Sequence, residues 1–142
     1  MKIDVLKEED LNSILQDQIS ELFKQLSPPT KQIQLHKIVG NKNQITMAYC
    51  VENDKIIGIA SMCIYKVISG NKGWIEDVVV DKNSRGKGIG KKLMQKLLEI
   101  GKEKELSEIL LFTEDQRTHA IHLYNKLGFQ EKESRIFTLK NK

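Results

Sequence analysis

Residues 75–90 read Ile-Glu-Asp-Val-Val-Val-Asp-Lys-Asn-Ser-Arg-Gly-Lys-Gly-Ile-Gly, an apolar strand, a short polar connection and three closely spaced glycines. The glycines let the backbone turn tightly and leave room for a ligand where other residues carry a Cβ. The helix that starts here presents unpaired N–H groups and the positive end of its dipole. Positive charge around it comes from Arg85, Lys87, Lys91 and Lys92. This combination predicts a phosphate-binding loop.

Two familiar phosphate-binding motifs do not match these residues. A Walker A loop requires Gly-Lys followed by Ser or Thr, with a glycine five residues earlier. Here Gly90-Lys91 is followed by Lys92, and Arg85 occupies the earlier position. The dinucleotide fingerprint requires glycine at its sixth position, which is Lys91 when counted from Gly86. A glycine-rich helix start without a ligand stays open as the alternative, although glycines destabilise a helix start.

Apolar spacing on both sides of this loop predicts an alternation of strands and helices. The strand candidates are Lys2–Leu6, Gln44–Glu52, Lys55–Ile68, Trp74–Asp81, Glu108–Thr113, Phe129–Glu133 and Ile136–Leu139. Helical spacing occurs over Glu8–Leu26, in a short segment that Thr30 caps, over Gly88–Lys104 and over Arg117–Leu127. An antiparallel meander followed by strand-helix-strand crossovers predicts a mixed α/β sheet with helices on both faces.

The two cysteines are expected on neighbouring strands but not opposite each other. If Asn53-Asp54 forms a two-residue hairpin turn, Cys50 faces Ile57 and Cys63 faces Gln44. A disulfide between such positions is implausible. Neither cysteine has a helix start or a histidine beside it in sequence that would activate the thiol. Both are therefore interpreted as core residues.

The composition is that of a globular protein of one domain. The chain has 142 residues, of which 39% are hydrophobic and 30% charged. No apolar run approaches the roughly 20 residues of a membrane span. The N-terminus lacks the apolar stretch of a signal peptide. We therefore expect a cytoplasmic protein with no membrane partner.

The charge and the histidines exclude two further classes of site. A net charge of +4 and a pI of about 9.0 suit an anionic ligand. The lysines are dispersed along the chain rather than clustered among aromatic residues, so we expect no nucleic-acid partner. His119 and His122 are three residues apart on a predicted helix, but no thiol or carboxylate lies at a zinc-like spacing. No metal is therefore expected.

With these residues in place, the chain resembles the GNAT acetyltransferase superfamily. The superfamily signature, Arg or Gln, two residues, Gly, one residue and then Gly or Ala after a strand, is matched by residues 85–90. Residues 120–129, Ala-Ile-His-Leu-Tyr-Asn-Lys-Leu-Gly-Phe, are similar to its second motif. The resemblance implies one GNAT domain over residues 1–142. Its fold would be α/β (α+β), with a mixed, mostly antiparallel sheet of about six to seven strands and helices on both faces.

The resemblance implies how acetyl-coenzyme A (acetyl-CoA), the expected co-substrate, binds. Its diphosphate would lie on the backbone amides of Arg85, Gly86, Lys87, Gly88, Ile89, Gly90 and Lys91. Its pantetheine arm would pair like an extra strand with the backbone of Val78, Val79 and Val80. In the family this strand splays from the next one, here Ile109–Thr113. The apolar run is also typical of a buried strand, and the two interpretations are compatible.

Acetyl transfer to an amine requires a base for the amine, stabilisation of the oxyanion and a proton for the leaving thiolate. The resemblance assigns the proton donor to Tyr124 and the oxyanion contact to an N–H of Val79 or Val80. Glu76 is the candidate base, because apolar neighbours suggest burial that would raise its pKa. Asp77, on the opposite face by strand alternation, is the alternative. A core tyrosine and structural carboxylates are the non-catalytic interpretations.

The acceptor, a primary amine of a small molecule or a peptide, is left open. Ile75-Glu76-Asp77 and a long first helix ending in Leu26-Ser27-Pro28 resemble the aminosugar-phosphate acetyltransferases. Arg117-Thr118-His119-Ala120 departs from their usual Asn-Val and is similar to bacterial members with Arg-x-x-Ala before the tyrosine. Arg117 could hold an acidic substrate or the co-substrate, or face solvent.

Other functions stay open beside amine acetylation. A non-catalytic module that binds coenzyme A (CoA) as a sensor or interaction domain is the main alternative, against which intact Tyr124 and Glu76 argue. Transfer of an acyl group longer than acetyl is another. Analogy with the family suggests a homodimer.

Overall fold

The computed structural model describes residues 1–40 and 42–141. The chain divides into two compact units, Met1–Phe112 and Thr113–Lys142. The first unit contains the whole sheet and three α-helices, and the second contains the last helix. No helix in the described ranges is long and apolar enough to cross a bilayer.

The strands of the first unit are β1 (Lys2–Val5), β2 (Ile45–Glu52), β3 (Lys55–Val67), β4 (Gly70–Val80) and β5 (Glu108–Leu110). Its helices are α1 (Ser13–Leu26), α2 (Leu35–Ile38) and α3 (Ile89–Glu103). Two 3₁₀ turns, Glu8–Asp10 and Lys82–Ser84, precede α1 and α3. The second unit contains α4 (Thr118–Lys126).

The sheet is mixed and has the spatial order β1-β2-β3-β4-β5. The first four strands pair antiparallel, and β5 pairs parallel with β4. The expected mixed α/β architecture is confirmed, but the described residues form five strands rather than six to seven. The candidates Phe129–Glu133 and Ile136–Leu139 are not strands in the structure. An apolar pattern is compatible with a strand, but a strand also needs a neighbour to pair with, which sequence does not supply.

The hairpin between β2 and β3 turns at the predicted residues but in a different register. Asn53 and Asp54 both have positive φ, 52° and 60°, as a two-residue type I′ turn requires. The register then shifts between Cys50 and Val51, so that Cys50 pairs with Gly58 and Cys63 with Ile45. The predicted partners, each one position away, are wrong because this irregularity adds a residue to β3. Both thiols are free.

Helices cover both faces of the sheet. Ile59 of β3 and Val79 of β4 belong to a buried cluster with Ile19, Leu22 and Leu35 of α1 and α2. Gly58, the neighbour of Ile59, faces the other side, where side-chain atoms of Ile89 and Leu93 of α3 lie 3.0 Å from the position that a Cβ would occupy. The prediction of helices on both faces is confirmed, and β4 lies between the two layers.

Helix α1 begins later than predicted. Its N-cap is Asn12, whose Oδ1 accepts a hydrogen bond from Leu15 N at 2.9 Å. The residues that were expected to start the helix form the separate 3₁₀ turn Glu8–Asp10. The start at Glu8 was therefore wrong, because apolar spacing marks the buried face while the cap sets the boundary.

Candidate functional site

The end of β4 carries a β-bulge. Ser61 of β3 pairs with Glu76, but Ile59 pairs with Val79, so two residues of β4 stand opposite one of β3. Asp77 lies in the bulge with a φ of 54°, a left-handed conformation that is uncommon for residues other than glycine, although aspartate adopts it more often than most. Because the bulge interrupts the two-residue alternation, the prediction that Asp77 lies on the face opposite Glu76 loses its basis.

Glu76 and Asp77 are both exposed, so the expected burial of Glu76 is wrong. Partial desolvation by the surrounding protein nevertheless raises the pKa of Glu76, and the charge of Asp77 raises it further. Desolvation also raises the pKa of Asp77. The pKa of Glu76 is therefore raised, as expected, and the pKa of Asp77, the second carboxylate at the bulge, is raised as well.

The pairing of β4 with β5 ends before the bulge. The parallel pairing joins Lys72, Gly73 and Trp74 to β5 and ends there, while β4 continues to Val80. On its other edge β4 remains paired with β3 as far as Val80. Within the described ranges, the β5-side edge of Val78–Val80 has no strand partner. An unpaired edge here is what the splay implied by the resemblance requires, and β5 ends at Leu110 rather than Thr113.

The glycine-rich loop connects β4 to α3. Gly86 and Gly88 have φ values of +81° and +77°, which L side chains rarely adopt. A Cβ built at either glycine meets no atom within 4 Å, so both face open space. Gly88 is the N-cap of α3, and the first bond of the helix runs from Lys92 N to Gly88 O at 3.1 Å. The N–H groups before Lys92 have no partner inside the helix.

Charge and packing complete this loop. Arg85, Lys87 and Lys91 are exposed. The Nε of Arg85 donates to Val80 O at 3.3 Å, linking the loop to the end of β4. Ile89 is 1% exposed and anchors the start of α3 in the core. Free N–H groups, the helix dipole and positive charge thus surround an open space, an arrangement that fits a diphosphate.

In the second unit, Tyr124 lies on α4 and packs against Phe129. The two rings meet edge to face with centroids 6.0 Å apart. Phe129 N also donates to Tyr124 O at 3.0 Å, after a left-handed turn at Gly128. Burial raises the pKa of the half-buried Tyr124 phenol, while the charge of Arg117 acts to lower it. The phenol is therefore protonated at neutral pH and can donate a proton.

Comparison with known proteins identifies the family. The model of the Acetyltransferase (GNAT) family matches residues 9–129, most of the chain. The chain belongs to the GNAT acetyltransferase family. This membership supports catalytic N-acetyl transfer to an amine, with acetyl-CoA as the co-substrate that GNAT acetyltransferases use. Nothing among the comparisons favours the non-catalytic alternative.

The GNAT relatives include proteins of similar length. The chain is 34% identical to glucosamine 6-phosphate N-acetyltransferase from Trypanosoma brucei brucei, over 96% of this chain and 93% of that protein. A Trypanosoma brucei acetyltransferase structure covers 98% of this chain and 99% of its own, with 26% identity and a TM-score of 0.77. An aminoglycoside acetyltransferase from an uncultured soil metagenomic sample shares the fold, with a TM-score of 0.85 at 23% identity and coverage of 99% and 96%.

Two features of this GNAT site were not predicted from sequence. The bulge at Asp77 was missed because aspartate tolerates positive φ in many settings, and the extra residue of β4 is defined only by its pairing with β3. A contact between Gln25 of α1 and Asp81, at the end of β4, was also missed because it joins residues far apart in the chain.

Among the described residues, no group of three or more His, Cys, Asp and Glu side chains could hold a metal ion.

Proposed function

We propose that this protein is an acyltransferase that moves the acetyl group of acetyl-CoA onto the primary amine of a phosphorylated aminosugar, by direct attack of the amine. The observation that carries the proposal is the open space in front of Gly86 and Gly88 at the start of α3. The acceptor class rests on the likeness to the trypanosomal glucosamine 6-phosphate enzyme, which extends over nearly the whole of both chains.

Acetyl-CoA would contact two parts of the chain, the glycine-rich loop and the end of β4. The amides from Arg85 to Lys91 would hold the diphosphate, because unpaired N–H groups and the helix dipole favour an anion there. The unpaired edge of Val78–Val80 would hold the pantetheine arm by main-chain hydrogen bonds. This mode of binding uses backbone, so it leaves the valine side chains free to pack.

Three side chains are candidates for the proton transfers of the reaction. Glu76, whose raised pKa suits a general base, accepts a proton from the attacking amine directly or through water. Asp77 is the alternative base in the same bulge. Tyr124 donates a proton to the leaving thiolate, and an N–H of Val79 or Val80 stabilises the oxyanion, both as the GNAT pattern implies.

A panel of acceptors tests the reaction and its substrate class. We expect thiol release from acetyl-CoA with glucosamine 6-phosphate, at a kcat/KM at least about tenfold above that with glucosamine. The phosphate supplies a charge that a basic site can bind, and one charged hydrogen bond contributes about 1.5–3 kcal/mol. Polyamines, amino acids and peptides are the comparison acceptors. CoA binding without thiol release for any amine would instead support the non-catalytic module.

The pH profile tests the base. Both the acceptor ammonium and Glu76 must lose a proton, so log kcat/KM should rise with a slope approaching about two below both pKa values. In Glu76→Gln the slope should fall to about one, with turnover lowered about 100-fold, a common size for loss of a general base. Asp77→Asn is the matched control and should keep the steeper slope. The opposite pattern would assign the base to Asp77.

We place this reaction in the cytoplasm and propose no nucleic-acid or metal partner. The composition supports the location, the dispersed lysines argue against nucleic acid, and the lack of a zinc-like ligand spacing around His119 and His122 argues against a metal. The homodimer suggested by analogy stays a prediction.

A further inference from the structure

The last residue before the anion-binding loop is a buried carboxylate. Asp81 follows β4 directly and is only 6% exposed. Its N–H donates to Ile57 O of β3 at 2.8 Å, which fixes its backbone to the sheet. Its carboxylate accepts a hydrogen bond from Gln25 Nε2 at 2.9 Å and lies 3.8 Å from Lys55 Nζ. A buried carboxylate with these partners is held in one orientation.

Gln25 holds the chain at two successive residues. While its Nε2 donates to the Asp81 carboxylate, its Oε1 accepts the N–H of Lys82 at 2.9 Å. Both ends of the amide are therefore occupied by the junction between β4 and the 3₁₀ turn. Gln25 lies in the last two turns of α1, so this pair of bonds ties α1 to the start of the loop.

Asp81 also fixes the conformation of the residues that follow it. Its carbonyl accepts from Ser84 N at 2.8 Å, closing the 3₁₀ turn Lys82–Ser84. Ser84 is buried, and Arg85 and Gly86 follow immediately. The direction in which the chain enters the glycine-rich loop is thus set by contacts of Asp81.

We propose that Gln25 and Asp81 are positioning residues that hold the loop entrance in the conformation that binds the diphosphate of acetyl-CoA. The inference rests on the proposed function, since it assigns these contacts to the same loop. Neither side chain needs to touch the co-substrate. If the loop is already ordered in the free protein, no conformational entropy is lost in ordering it when CoA binds. Loss of the Gln25 contacts should therefore weaken CoA affinity rather than the chemical step.

Gln18 offers a matched control on the same helix. It lies two turns before Gln25, and both ends of its amide are likewise hydrogen-bonded, in this case to backbone groups. Its Oε1 accepts from Ile56 N at 2.9 Å, and its Nε2 donates to Asp54 O at 3.3 Å. These bonds tie α1 to the β2–β3 turn instead of the loop. The two glutamines therefore share a helix and a number of hydrogen bonds. Gln25 binds one side-chain carboxylate and one backbone N–H, Gln18 binds two backbone groups, and the two differ in the segment that they hold.

The test compares Gln25→Leu with Gln18→Leu by calorimetric titration with CoA and by thermal unfolding. We expect both variants to lose thermal stability, because each removes the two hydrogen bonds of a glutamine amide. The Kd for CoA should rise about five- to tenfold in Gln25→Leu and stay within about twofold in Gln18→Leu. Turnover at saturating acetyl-CoA should stay within about twofold in both.

Three results would overturn the inference. Wild-type CoA affinity in Gln25→Leu would show that the loop is ordered without this contact. An equal loss of affinity in Gln18→Leu would show that general stability, not the loop entrance, is responsible. A wild-type protein that does not bind CoA at all would overturn the proposed function as well, which distinguishes that failure from the first two.

Discussion

Replacement of Gly88 by glutamate should abolish CoA binding, with an expected loss of affinity of about 100-fold or more. Gly88 is the N-cap of α3, and its Cβ direction leads into open space where the diphosphate is proposed to lie. A glutamate there would fill that space. It would also place a negative charge against the anion, and two like charges about 4 Å apart near a protein surface cost about 4 kcal/mol. Calorimetric titration with CoA measures the loss.

Gly88→Ala separates backbone strain from charge. At a φ of +77° any L residue is strained, and the left-handed conformation costs about 1–2 kcal/mol per residue. Both variants should therefore be less stable than the wild type to a similar extent. The alanine variant should keep CoA affinity within about tenfold, because a methyl group adds little bulk and no charge. Tight CoA binding by Gly88→Glu would refute the assignment of the loop.

Tyr124→Phe should lower turnover at least about tenfold with little change in CoA affinity. Loss of a general acid typically reduces rates by a factor of about 10² to 10⁴. Burial raises the pKa of the Tyr124 phenol, which keeps its proton available at neutral pH. Phenylalanine preserves the ring that packs against Phe129, so the second unit should keep its structure. Steady-state rates with acetyl-CoA and an active acceptor, together with CoA titration, give both quantities.

Tyr49→Phe is the control for the loss of a phenol. Tyr49 is also partly buried, in the core of the first unit, and burial raises its pKa as well. A raised pKa therefore does not by itself mark a catalytic tyrosine. Turnover of Tyr49→Phe should stay near the wild-type value. Unchanged turnover in Tyr124→Phe would remove Tyr124 from the mechanism.

The parts of the fold with strong local patterns were predicted well. Helix α3 was expected over Gly88–Lys104 and occupies Ile89–Glu103, because its apolar face and its glycine start are both local features. The Asn53-Asp54 turn was correct for the same reason, since these residues tolerate positive φ. The loop with Gly86 and Gly88 was predicted from its glycines, and both have the positive φ that makes glycine necessary.

The parts that depend on distant contacts were not predicted. The bulge at Asp77 arises in the pairing of β3 with β4, and the sequence of β4 alone does not reveal an extra residue. Glu76 is exposed although Ile75 beside it is buried, so apolar neighbours were a poor guide to its burial. The Gln25–Asp81 contact joins α1 to the end of β4, across 56 positions of sequence. Hydrophobic periodicity within a short stretch of sequence does not indicate contacts between residues so far apart.

A crystal structure of the protein with bound CoA would show whether backbone amides between Arg85 and Lys91 bind the diphosphate of acetyl-CoA. We expect diphosphate oxygens within hydrogen-bond distance of those N–H groups, about 2.7–3.2 Å between heavy atoms. A complex in which the diphosphate lies elsewhere, with this loop empty, would contradict this expectation.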